Sequence, residues 1–296
     1  MEASVALHFG GNLINCMGMA PENIWTRNRS TVSRTSDDYL PKDLTSFPEH
    51  ALQNAFCSIL QGEFTWGDWD MFWSGHPDAT ASVLLRMISG GPVYTSDGTG
   101  KTEHAVLAPA SDGGRILGCD GVGRPTLDCL MGPGEGKVLK VYNTCGKSVS
   151  VAAFDLKRDR SSNAGEVSPG EIPGLAGEKY LLWDGGKQEA TELTRDERYP
   201  FDLAPGSARL FSLYEDDGEA VTVIGMGEKY IPAAGIRQVL HVADTFEVTA
   251  GCSGELLVWL REACEVTAAG RVPVRMEKGL ARIPMDAGFT VRIRVL

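Results

Sequence analysis

Short apolar runs of strand length alternate with longer apolar stripes of helical spacing over the first hundred residues. Glu2 to Phe9 reads as a helix stopped by Gly10-Gly11, and Asn12 to Met17 is strand-sized. Thr31 to Arg34 is a second strand. Between Glu49 and Leu60, residues Ala51, Leu52, Ala55, Phe56, Ile59 and Leu60 fall at helical spacing behind Pro48, and Gly62 ends the helix. Glu63 to Trp66 follows as a strand. Behind Pro77 a second stripe carries Ala81, Leu84, Leu85 and Ile88, closes at Gly90-Gly91, and leads into a strand from Pro92 to Thr95. The order α, β, β, α, β, α, β predicts a parallel α/β arrangement, whose functional groups stand at the C-terminal ends of the strands. Polar residues gather there: Ser36-Asp37-Asp38, Asp68-Trp69-Asp70 and Ser96-Asp97.

From about residue 106 the texture changes to period-two alternation broken by Gly, Pro and Asp. Such runs lie at Lys137 to Tyr142, Ser148 to Phe154, Lys179 to Trp183, Ala208 to Tyr214, Leu256 to Leu260 and Phe289 to Leu296. They predict an antiparallel β-sandwich. Two domains follow, 1–105 and 106–296. A closed eight-stranded barrel takes about 200 residues or more, so the first domain has room for half of one.

Composition removes several function classes. Lys plus Arg is 28 against 39 Asp plus Glu, a net charge of −11, which is the wrong sign for nucleic acid or an anionic membrane. No run approaches the apolar length of a bilayer span. The seven cysteines show no C-x-x-C spacing and read as reduced thiols, and the first residues lack a basic stretch followed by an apolar one. A cytoplasmic address is therefore expected. Ser96 to Thr102 imitates the end of a phosphate-binding loop but has Thr95 where the first glycine belongs. His76 and His104 lack a partner at metal-binding spacing. Trp183 and Trp259 read as core, with a sugar platform as the alternative.

The strongest local chemistry is Arg34-Thr35-Ser36-Asp37-Asp38-Tyr39 followed by Trp66-Gly67-Asp68-Trp69-Asp70-Met71-Phe72. Carboxylates protonate leaving oxygens and bind hydroxyls, and aromatic faces cover the C–H side of a pyranose, so the mixture suits a sugar site. The same residues also read as helix caps and turns.

These two runs, with Gly62-Glu63-Phe64, His76-Pro77, Ser89 to Asp97 and Gly123-Arg124-Pro125-Thr126-Leu127-Asp128-Cys129-Leu130, resemble glycoside hydrolase family 36 in its raffinose synthase and seed-imbibition branch. The likeness is close over residues 12–155. It implies the C-terminal half of a (β/α)8 barrel, strands five to eight, followed by the antiparallel β domain. It implies an acid/base carboxylate at Asp37, with adjacent Asp38 as the alternative, and substrate contacts from Arg34, Asp68, Asp70, Met71 and Cys16. The family's nucleophile, an Asp in a Lys-x-Asp setting on the fourth strand, has no match, and Lys42-Asp43 follows the acid/base loop.

The expected activity of the complete enzyme is retaining hydrolysis of α-galactosides of the raffinose kind, without metal or organic cofactor. A galactosyltransferase that builds such sugars, or a non-catalytic glycan-binding module, are the alternatives. The expected partners are a galactosyl oligosaccharide and a complementing N-terminal half-barrel or a second copy of the chain.

Overall fold

A computed structural model describes residues 1–18, 20–132, 137–268 and 274–296. The first part contains α1 (Glu2–His8), β1 (Ile14–Asn15), α2 (Pro21–Trp25), β2 (Val32–Arg34), α3 (Phe47–Gln61), β3 (Trp66–Asp68), α4 (Ala79–Ser89) and α5 (His104–Leu107). Strands β1, β2 and β3 pair in that order, all parallel.

Two details depart from the expected strands. The third starts at Trp66 and not at Glu63, because the Phe64 and Thr65 amides bond back to the Gln61 carbonyl and prolong the end of α3. The fourth is reduced to a single parallel bridge between Phe72 and Thr95. Pro92 has no amide hydrogen to give a ladder there. Helix α2, opened by Pro21 at its first position, is an addition to the elements expected from sequence. The sheet described here therefore has three strands plus a bridge, where four strands of a half-barrel were expected.

The sequence predicts a one-sided apolar stripe for helix α4, yet ten of its eleven residues are buried. It is sandwiched. One side meets the core that includes Trp69 and Phe72, and another meets Leu139, Val141, Phe154 and Leu210 of the β region. Each fully buried Leu or Ile contributes about 1.5–3 kcal/mol, so this helix ties the two parts together.

The β region begins with β4 (Arg124–Pro125), β5 (Val138–Cys145), β6 (Ser148–Asp155), β7 (Asn163–Val167), β8 (Lys179–Asp184), β9 (Glu189–Thr194), β10 (Tyr199–Leu203) and β11 (Ala208–Glu215). Six of these form an antiparallel sheet in the order β4-β5-β6-β11-β8-β9, and β7 pairs with β10 across one face of it. All eight residues of β6 are buried, since α4 covers one face and the β7-β10 pair the other.

A second unit holds β12 (Val221–Met226), β13 (Ile236–Val242), β14 (Thr245–Ala250), β15 (Gly254–Leu260), β16 (Cys264–Ala268), β17 (Val274–Met276), β18 (Gly279–Met285) and β19 (Thr290–Val295). Its three-stranded sheet β12-β15-β18 packs on the five-stranded sheet β13-β14-β19-β16-β17 around Val248, Leu256, Val258, Ile283, Val291 and Ile293. The single sandwich expected over 106–296 is thus two sheet pairs with separate cores. They divide at Asp216-Asp217-Gly218, where Gly218 takes φ +81. Trp183 is fully buried in the seam between them, with Leu181, Tyr214, Ile224 and Leu257. The change of texture near residue 105 falls inside α5, which Glu103 caps through its carboxylate. Among the described residues no helix is long and apolar enough to cross a membrane.

Candidate active site

Parallel pairing sets the last residue of β2, Arg34, opposite the last residue of β3, Asp68. The two side chains meet directly: Arg34 Nε donates to Asp68 Oδ2 at 3.0 Å. The other two guanidinium nitrogens take a carboxylate each, Asp70 Oδ1 at 2.7 Å and Asp38 Oδ1 at 3.2 Å. Three acids therefore converge on one buried arginine at the C-terminal ends of adjacent parallel strands. Burial by itself would lower the Arg34 pKa, but the hydrogen bond to Asp68 and the charges of Asp70 and Asp68 more than reverse this and hold it above the ordinary arginine value.

The floor beneath is fully occupied. Asp68 is 0% exposed and accepts the Tyr94 hydroxyl at 3.0 and 3.2 Å and the Asp70 amide at 3.1 Å. Burial, then the Asp68 charge, push the Tyr94 pKa up to about 12, so it remains a neutral donor. Asp70 takes φ +66, a conformation that costs a non-glycine residue about 1–2 kcal/mol. The compensation is local: its Oδ2 accepts the Tyr39 amide at 2.6 Å and its Oδ1 the Met71 amide at 2.7 Å.

A second arginine holds this turn from below. Arg86 of α4 is completely buried, and it donates to the Asp70 carbonyl at 3.0 Å, the Met71 carbonyl at 2.9 Å, the Ser82 carbonyl at 3.2 Å and His50 Nε2 at 3.0 Å. Burial lowers its pKa to about 10, which leaves it charged at neutral pH. Since a guanidinium only donates, His50 Nε2 must be unprotonated and Nδ1 carries the hydrogen. That hydrogen faces the Asp37 carbonyl at 3.2 Å and the Ser36 hydroxyl at 3.3 Å.

Burial, and then the Arg86 charge, lower the His50 pKa from 6.5 to about 3. Below pH 6.5 the unfolded chain binds a proton at this site that the folded chain refuses, so stability is full above that pH and is lost as pH falls toward 3. The fall from 6.5 to about 3 corresponds to about 5 kcal/mol over the whole window. Urea unfolding midpoints measured from pH 7 to 4 should drop steeply, and His50→Gln should flatten the profile. Equal slopes in the two proteins would remove His50 from the account.

The residues predicted from sequence divide clearly. Arg34, Asp38, Asp68 and Asp70 come together, and Met71 adjoins them through its backbone. Asp37 faces α3 instead: Gln53 accepts from its amide at 2.8 Å and donates to its carboxylate at 3.1 Å. Cys16, just past β1, is exposed at the same edge of the sheet and outside the carboxylate cluster. His76 spends both ring nitrogens on backbone, at Pro41 and Asp78. Sequence reasoning missed Arg86, His50, Gln53 and Tyr94. A charged residue inside the apolar run Val83-Leu84-Leu85-Arg86-Met87-Ile88 was the available signal for the first.

The family model described as raffinose synthase or seed imbibition protein Sip1 matches residues 1–157 of the 296. The chain belongs to this family. That match covers the whole Arg34 cluster and the first strands of the six-stranded sheet. Raffinose synthase and seed-imbibition relatives include the Arabidopsis thaliana protein named "Probable galactinol--sucrose galactosyltransferase 6", 39% identical over 148 residues, covering 48% of this chain and 20% of that protein. A galactinol--sucrose galactosyltransferase of Oryza sativa subsp. japonica is 29% identical over 280 residues, covering 83% of this chain and 36% of that protein. The family member described here thus spans a fifth to about a third of these relatives. Among solved structures, the Arthrobacter globiformis T6 isomalto-dextranase complexed with panose is similar with a TM-score of 0.49 and 17% identity, over 96% of this chain and 59% of that one.

Proposed function

We propose that residues 12–105 contribute strands five to eight of a galactosyl-processing (β/α)8 barrel, and that the Arg34 cluster is the part of its active site that grips the galactosyl unit. The observation that carries this reading is one guanidinium joined to Asp38, Asp68 and Asp70 at the C-terminal ends of parallel strands. In this arrangement Asp68 and Tyr94 orient Arg34, while Arg34 and Asp70 meet sugar hydroxyls. The relatives' names support reading this site as one of galactosyl transfer, the alternative to the hydrolysis expected first from sequence. The complete reaction is then a double displacement. A carboxylate on a strand outside residues 1–296 attacks the anomeric carbon while an acid on the loop after β2 protonates the departing oxygen. The same residue, now a base, takes a proton from the acceptor hydroxyl, whose oxygen attacks the anomeric carbon and releases the first carboxylate.

The geometry favours Asp38 over Asp37 for that acid, reversing the order expected from sequence. Asp38 reaches the guanidinium that holds Asp68 and Asp70, whereas Asp37 is tied to Gln53. The Asp38 side chain is 75% exposed, so its pair with Arg34 is worth at most about 1 kcal/mol and its carboxylate stays open to solvent.

Two assays test the reading. The 296-residue chain alone should show no turnover of an aryl α-galactoside above an Asp38→Ala control, because only one of the two carboxylates is present. Joined to the N-terminal barrel half of a relative, it should make raffinose from galactinol and sucrose. Turnover by the lone chain, or release of free galactose alone by the joined one, would overturn the transferase reading.

A further inference from the structure

A groove of about 410 Å³ lies between the two β units, and none of its lining residues belongs to the Arg34 cluster. That volume falls within the roughly 300–1,000 Å³ of small-molecule sites. One wall is the turn between β5 and β6 together with the end of β11, and the other is β13. On the β13 side, the His241 ring lies flat on Phe246, centroids 3.9 Å apart and planes 10° from parallel. Its Nδ1 stands 3.4 Å from Glu219. The stack fixes the plane of an exposed imidazole over a buried ring.

The polar side chains around this stack are unspent. Among the described residues, Lys147, Arg237 and Gln238 make no side-chain hydrogen bond or ion pair, although each lines the groove. Acceptors stand opposite: Glu215, with no side-chain partner among the described residues, and Asp217, whose Oδ1 takes one amide hydrogen from Glu219. Two cations against the three acids Glu215, Asp217 and Glu219 give a wall that would repel a phosphate. Free donors interleaved with free acceptors around a ring face instead match a molecule whose hydroxyls both donate and accept and whose C–H face is apolar.

We propose that this groove binds a neutral oligosaccharide, as a second sugar site separate from the catalytic cluster. Arg237, Gln238 and Lys147 donate to its ring and hydroxyl oxygens, Glu215 and Asp217 accept from its hydroxyls, and the His241-Phe246 stack supports a pyranose face. The chemistry of the groove selects the ligand class. Only the choice of a galactosyl-sucrose probe rests on the proposed function.

The test titrates raffinose into the full 296-residue chain carrying Asp70→Asn, which removes the galactosyl grip from the measurement, with calorimetry as the readout. Saturable binding is expected, weakened at least tenfold when Arg237→Ala or His241→Ala is added. Both positions are exposed, so the variants keep the fold, and unchanged thermal unfolding checks this. Inorganic phosphate and spermidine are titrated in parallel. No raffinose binding, binding indifferent to both substitutions, or phosphate or spermidine binding in its place with the same dependence each overturns the proposal. Failure of raffinose synthesis by the joined enzyme, with groove binding intact, counts against the proposed function alone.

Discussion

In an enzyme with a complete barrel around these residues, Asp38→Ala is expected to slow transfer from natural galactosides by about 10²–10⁴-fold, the usual contribution of a positioned acid/base. Aryl galactosides with good leaving groups should suffer far less in the first step, because their departing oxygen needs no proton. Breakdown of the galactosyl-enzyme should slow for both, and external azide should restore it by replacing the base-activated acceptor, giving α-galactosyl azide with retained configuration. Asp37→Ala is the matched control. Its carboxylate bonds to Gln53 on α3, so its loss should leave both steps within a few-fold of the parent. If azide rescue follows Asp37 instead, the acid is the neighbouring residue. If it follows neither, the family mechanism does not operate at this loop.

The largest effect on stability is expected at Arg86. Replacement by Met keeps much of the apolar stem but leaves the buried Asp70 carbonyl and the half-buried Met71 carbonyl without this donor and His50 Nε2 without its partner. Each orphaned buried acceptor costs about 1–3 kcal/mol, so a loss of about 3–5 kcal/mol is expected. Removing a buried charge works in the opposite direction, but Arg86 is held by four acceptors at 2.9–3.2 Å, which is the condition under which a buried cation is well tolerated. Arg86→Lys should recover only part of the loss, because a single ammonium cannot span the same set of acceptors. Urea unfolding with an unchanged m-value is the measurement. A shift below about 1 kcal/mol for Arg86→Met would show that the Asp70 turn supports itself.

Both predictions concern contacts that sequence reading approached without reaching. Arg34, Asp68 and Asp70 were legible, since an Arg and two acids at the ends of neighbouring parallel strands must share one edge of the sheet. The adjacent pair Asp37-Asp38 was not resolvable in the same way. Consecutive residues on a loop point in different directions, and which one turns inward depends on Gln53, seated sixteen positions along the chain on a separate helix.

By itself the sequence determined the alternation of helix and strand up to α4 apart from the short α2, the acidic and aromatic character of the strand ends, and the family, because proline starts, glycine stops and ordered runs of uncommon residues act over short stretches of chain. Only the tertiary structure decided the rest. Strand β6 and helix α4 are buried on both faces, which hides the periodicity that tells inside from outside. The division of the β region into two sheet pairs depends on which strands find each other across long separations, as β6 finds β11 and β14 finds β19, and two cores built from the same alternating pattern look like one until those pairings are made.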